Sequence, residues 1–137
     1  MLTFEMYSRK LVFAGAILAA IGVGLGAIGA HFLPEYLEAK QLDVVKIEKR
    51  MTQFETGVRY HLYHSLALVV VGLSPLTGRL PCVAAWLMFA GLALFSGGIY
   101  GIVFGELGTH VIVPFGGFAF MAAWITLAFA TLGRPDA

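Results

Sequence analysis

Three long apolar runs and one broken run order the chain. The first, "LVFAGAILAAIGVGLGAIGA" from Leu11 to Ala30, carries no charged side chain. Val83 to Phe104 and Val111 to Leu132 are likewise uncharged. Each is long enough to cross about 30 Å of hydrocarbon as a helix. The remaining run, Leu66 to Leu73, covers only about 12 Å, where a span needs about 20 residues. If that helix ends near Leu76, it starts near Gly57. Arg59, Tyr60, His61, Tyr63 and His64 then lie within the bilayer thickness. The pattern predicts an all-α polytopic membrane protein with four transmembrane helices. They form one membrane domain, 1–137, with spans at about 11–31, 57–76, 83–104 and 111–132.

The polar stretches between the runs refine this picture. Arg9 and Lys10 precede the first run, and "IGA" before His31 resembles a signal-peptidase site. The apolar stretch exceeds the 7–15 residues of a signal core, so a retained span is expected. In the first loop, Val44, Ile47, Met51, Phe54 and Val58 recur at helical spacing. They predict an amphipathic helix running into the second span. The other loops, "SPLTGRLP" and "GELGTH", are short. Short loops predict antiparallel hairpins of spans two with three and three with four.

Composition supports lipid as the solvent: 59% of residues are hydrophobic and only 12% charged. Soluble domains carry about 25% charged residues. The net charge of +1 comes without a basic tract, so no nucleic-acid partner is expected. Basic residues are balanced across the proposed membrane, with Arg9, Lys10, Arg79 and Arg134 facing Lys40, Lys46, Lys49 and Arg50. The close approach of Arg9 and Lys10 to the first span places the termini on the cytoplasmic side. Cys82, the only cysteine, reads as a small apolar residue near a helix end.

Candidate chemistry concentrates in "FETGVRYHLYHSLALVVVG", residues 54 to 72. A charge in hydrocarbon costs at least ~2.5 kcal/mol, so these side chains should face protein or water, or snorkel. Glu55 and Arg59 have the favourable order for a helical ion pair, and Tyr63 continues their face. His61 and His64 fall on another face, with Gly57 and Leu68. In a four-span topology, His31 and His110 stand on the same side of the membrane, with Glu106 near. The plain reading makes each histidine a satisfied interfacial or capping residue. The sharper one gathers His31, Glu55, Arg59, Tyr63 and His64 into a polar cluster between helices. Haem or metal ligation by histidines is a further alternative, weakened because His31 and His110 sit at helix ends.

Small residues form stripes. Gly15, Ala19, Gly22, Gly26 and Gly29 share one face of the first span, and Ala20, Gly24 and Ala27 the opposite face. Two small faces predict a central first helix with neighbours on both sides. Ala93, Gly97, Gly101 and Gly105 repeat every four residues in the third span. Gly22, Gly26, Gly29, Gly97 and Gly101 are thus expected at helix contacts. Ser96, Gly97 and Gly98 allow a local bend, with close contact to the first helix the preferred reading. Pro114 fits the first turn of the last helix, and Trp86 reads as an interface anchor.

The stretches "GAIGAHFLPEYL", "FETGVRYHLYHSLALVVVG", "GLALFSGGIYG" and "VPFGGFAFMAAW" occur in this order over nearly the whole chain. In them the chain resembles a family of small four-helix integral membrane proteins of unknown function, which includes the bacterial YgdD and YwdK proteins. A similar transmembrane protein occurs in animals. The matching motif positions are Gly29, His31, Glu55, Arg59, Tyr60, Tyr63, His64, Ser96, Gly97, Tyr100, Pro114, Gly116 and Gly117. His61 and His110 depart from the family pattern, which favours His31 with His64 as the informative pair. The resemblance implies an architecture and no activity.

No nucleotide loop and no nucleophile–base spacing is present, so no enzyme is expected. No cofactor or metal is expected either. The leading expectation is a structural or accessory bundle of the bacterial cytoplasmic (inner) membrane. Its partners are the lipid bilayer and copies of itself or a larger membrane complex. A small oligomeric transporter or channel using the His/Arg/Glu cluster is the second reading, and a haem- or metal-bearing redox protein the third.

Overall fold

The first apolar run becomes helix α1, Leu2–His31. The computed structural model describes residues 2–105 and 108–132. After α1 the chain turns through a short helix α2, Leu33–Ala39, with Pro34 in its first turn. Helix α3, Val44–Leu73, follows. It starts where the Asp43 carboxylate accepts the Lys46 backbone N–H at 2.8 Å, which satisfies one of the free donors at a helix start. It stops at Ser74, whose hydroxyl bonds the Val71 carbonyl, one residue before Pro75. Gly78, at φ +90°, makes the turn that a side chain would strain. Helix α4, Arg79–Gly91, passes through a π turn, Leu92–Ser96, into α5, Gly97–Gly105. A 3-10 turn, Thr109–Val111, leads into α6, Val113–Ala130. Pro114 lies in its first turn, as the sequence suggests. All regular structure among the described residues is helical.

The amphipathic segment and the expected second span are one unbroken helix. Phe54 and Val58 of its expected apolar stripe are buried, Ile47 and Met51 are half-buried, and Val44 is exposed. Helix α2 was not legible as a separate element. Its Leu33 and Leu37 are 1% exposed and pack with Phe54 and Val103. The Tyr36 hydroxyl donates to the Phe104 carbonyl at 3.0 Å, tying α2 to the end of α5.

Among the described residues three helices are long and apolar enough to cross a membrane: Tyr7–His31, Arg79–Gly105 and Val113–Ala130. Helix α3 has the length, at 30 residues, but its polar side chains keep it outside this group. The described residues are therefore all-helical in their regular structure, with three candidate spans, and the fourth does not follow from composition.

The expectation of a central α1 does not hold. Helix α3 is central, touching α1, α2, α4, the π turn and α5. Helix α1 lies antiparallel along α3 through glycines seven residues apart. A Cβ on Gly15 would stand 2.8 Å from the Ser65 carbonyl oxygen, one on Gly22 2.7 Å from the Leu62 side chain, and one on Gly29 2.7 Å from Phe54. Seven-residue spacing keeps one face toward a partner helix over its whole length. Gly26 is looser, with Val58 at 3.7 Å from its Cβ position. The second small face, Ala20, Gly24 and Ala27, is exposed.

The remaining expected stripe is also displaced. Ala93, Gly97 and Gly105 are exposed and Gly101 is half-buried. Close packing instead uses Gly91 against Phe120, Gly98 against Val113, and Gly116 against the Phe95 backbone. A four-residue repeat assumes continuous α-helix, and the π turn breaks that phase just before Gly97. A local bend does occur beside Ser96, as this π turn, but the close contact with the first helix preferred for this stretch is not what Gly98 makes: it packs on Val113 of α6. Helices α4 and α6 form the expected hairpin.

Candidate functional site

His61 and His64 project from α3 into the bundle, 7% and 4% exposed. One turn of helix separates them, so they reach different neighbours. His61 Nε2 lies 2.9 Å from the Leu18 carbonyl oxygen of α1. Its Nδ1 lies 3.3 Å from the Tyr100 hydroxyl of α5. A carbonyl only accepts, so Nε2 carries the hydrogen, and in the neutral ring Nδ1 accepts from the Tyr100 hydroxyl. His64 has the opposite arrangement. Its Nδ1 lies 2.8 Å from the Tyr60 carbonyl oxygen, and its Nε2 lies 3.1 Å from the Trp124 indole nitrogen of α6. The indole only donates, so Nε2 accepts and Nδ1 carries the hydrogen.

Both nitrogens of each ring are used. The indole donor fixes the neutral tautomer of His64, and the Leu18 carbonyl fixes the hydrogen on Nε2 of His61. Together the two rings tie α3 to α1, α5 and α6. Ligation of a metal or haem iron by either ring would break one of these bonds.

Aromatic packing closes around His64. Its ring stacks on Phe120 with centroids 3.4 Å apart and planes at 15°. Tyr60 packs on Phe95 at 4.8 Å, and Phe95 meets Phe120 edge-on at 5.8 Å. Outside this cluster, a groove of about 720 Å³ opens between α3 and α6, with Tyr63, His64, Phe118, Met121 and Trp124 in its wall. Ser65 closes on its own helix, donating to the His61 carbonyl at 2.7 Å. The Ser96 hydroxyl, at the end of the π turn, is fully buried and has no hydrogen-bond partner.

The residues expected to form one polar cluster do not meet. His64 is in the core. His31 is exposed at the end of α1, and Glu55, Arg59 and Tyr63 are exposed on α3. Lys46 pairs with Asp43, whereas Glu55 and Arg59 form no ion pair with one another. They line a second groove, between α1 and α3. His110 is exposed, and Glu106 lies outside the described residues. No group of three potential metal-ligating side chains occurs among the described residues.

His61, Tyr100 and Trp124 were not placed at the centre by the sequence reading. Tyr100 and Trp124 both lie in the quoted motifs, but a motif does not pair its own members. The available signal was depth: His61 sits on the same face as Gly57, and Gly57 packs against Ile99 and Tyr100.

Comparison with known proteins returns a consistent picture. Residues 25–117 match the model of a protein family of unknown function, DUF423. The chain is 39% identical over 130 residues to the UPF0382 membrane protein YwdK of Bacillus subtilis, covering 90% of this chain and 97% of that one. It is 36% identical over 126 residues to a UPF0382 membrane protein of Staphylococcus epidermidis, covering 90% and 96%. A UPF0382 membrane protein of Haemophilus influenzae is 37% identical over 114 residues, covering 80% and 82%. No solved structure matches the chain.

Proposed function

Because the chain belongs to the DUF423 family of membrane proteins, we propose that it is a four-span structural or accessory bundle that associates with copies of itself. In this reading α3 is the fourth span, and the protein is a multi-pass protein of the bacterial cytoplasmic membrane with its termini inside. It performs no catalysis.

The observation that carries the reading is the division of α1 into two small faces. Gly15, Gly22 and Gly29 are filled by α3. Ala20, Gly24 and Ala27 remain exposed, with nothing within 4 Å of a Cβ on Gly24. Lipid solvates apolar faces equally well, whatever their size, but only small residues let two backbones approach closely. The open face of α1 therefore suits a second α1.

The interior supports a structural role. The buried histidines have no free nitrogen, and aromatic rings pack against them. A solute path would have to be shared between copies rather than run through one.

The test is disulfide trapping in native membranes, with Gly24→Cys in a Cys82→Ser background. Oxidation should give a dimer band with Gly24→Cys and none with a cysteine at Phe118, on the far side of the bundle. A monomer at both positions, together with a monomer mass in lipid nanodiscs, would remove the self-association reading.

A further inference from the structure

The groove between α1 and α3 holds two unpaired, opposite charges in a fixed order. It has a volume of about 360 Å³ and is floored by Gly26, Gly29 and Ala30 of α1. Glu55, Arg59 and Leu62 of α3 form its other side. Both charged side chains are exposed, and neither has an ion pair or hydrogen bond to another described residue. They stand one helical turn apart, about 6 Å along the axis.

Their depth order is set by the helix. Asp43, Lys46, Lys49 and Arg50 occupy the turns before Glu55, all polar, and the apolar run from Leu66 follows Arg59. Glu55 is therefore the outer charge and Arg59 the inner one. The antiparallel α1 follows in step: Gly29 meets Phe54, and Gly26 faces Val58. Below Arg59 the groove is apolar, bounded by Gly26 and Leu62.

We propose that this groove binds a phospholipid with a primary-amine headgroup, phosphatidylethanolamine being the chemical type. Such a lipid presents the same order from water inward: an ammonium, then a phosphate, then an acyl chain. The ammonium meets Glu55, and the phosphate diester takes the Arg59 guanidinium through paired N–H donors. The chain lies along the glycine floor, where the missing side chains leave room. The lipid neutralises both charges at a depth where unpartnered ions are costly. A primary ammonium can donate hydrogen bonds to a carboxylate, and a trimethylammonium cannot. An anionic headgroup would bring a second negative charge to Glu55.

The proposal needs α3 to enter the bilayer, a point tested separately by cysteine labelling of its two ends. It is tested by native mass spectrometry of the full chain in mild detergent, with dioleoyl phosphatidylethanolamine, phosphatidylcholine or phosphatidylglycerol added. The wild type should retain one phosphatidylethanolamine at about tenfold lower lipid concentration than either other lipid. Arg59→Gln should lose retention of all three. Glu55→Gln should keep binding but lose the preference for the primary amine. Glu48→Gln, outside the groove, should behave as wild type. Equal retention of the three lipids by the wild type would overturn the proposal, as would tighter phosphatidylglycerol binding. So would unchanged retention in both groove variants. If Arg59→Gln does not fold, the wild-type preference and its loss in Glu55→Gln still decide.

Discussion

Trp124 of α6 donates its indole N–H to Nε2 of His64 on α3, across 3.1 Å. The bond joins two helices that are not consecutive, and it fixes the tautomer of a buried ring. Interhelical hydrogen bonds in membrane proteins contribute about 1 kcal/mol. Trp124→Phe should destabilise the detergent-solubilised protein by about that amount, because Nε2 is left buried without a donor. His64→Phe combined with Trp124→Phe should cost less than the sum of the two single changes. Unfolding midpoints of the four proteins measure the coupling, and strict additivity would show that the bond contributes nothing.

The glycines of α1 should differ sharply when replaced by alanine. Gly15 faces the Ser65 carbonyl oxygen, part of a helix backbone that cannot step aside, so Gly15→Ala should cost about 1–3 kcal/mol. At Gly22 the close atom is the end of the Leu62 side chain, which can rotate, and the loss should be smaller. At Gly26 the nearest atom is at ordinary contact distance, so the better helix propensity of alanine should leave stability unchanged or raised. Thermal melts ranked in the order Gly15, Gly22, Gly26 check this. An inverted order would mean that α1 is seated differently.

The start of α3 should respond to acid. The Lys46 backbone N–H holds the Asp43 carboxyl below its usual 3.8. A carboxyl depressed in the folded state contributes stability above its unfolded pKa, and that contribution disappears as pH falls through the folded value. Asp43→Ala should therefore melt earlier than wild type at neutral pH, and the two curves should converge well below pH 3.8. A gap that persists in strong acid would mean that Asp43 acts other than as an ionised cap.

If α3 crosses the bilayer, its two ends face opposite compartments. Single cysteines at Gln41 and Thr77, in a Cys82→Ser background, should react with an impermeant maleimide from opposite sides of sealed vesicles. Thr77 should label from the cytoplasmic side. Labelling of both from one side would leave three crossings.

Much of this fold is written in the chain as lengths and phases. The uncharged runs appear as α1, the α4–α5 helix and α6, and the stripe ending at Phe54 and Val58 appears as the entry to α3. What the sequence hid has specific causes. The π turn breaks the four-residue repeat on which Gly97 and Gly101 stand, so a stripe drawn at constant period falls partly on the exposed surface. Helix α2 has only seven residues, too few for periodicity to separate it from a loop. For the candidate site, chain order placed histidines on one side of a bundle but not which would turn inward. His64 does so because Trp124 meets it at the same depth. His31, two residues past Gly29 at the end of α1, stays exposed. The family pattern favours His31 with His64 over His61, whereas the geometry of His61 depends on a backbone carbonyl, which any residue at position 18 would supply.

Helix α3 runs without a break from its charged outer turns to the two bracing rings, so it has no joint at which motion of one part could be absorbed. It is one helix about 45 Å long. The same continuous helix that carries Lys46 and Lys49 at its outer end carries His61 and His64, whose bonds reach three neighbouring helices.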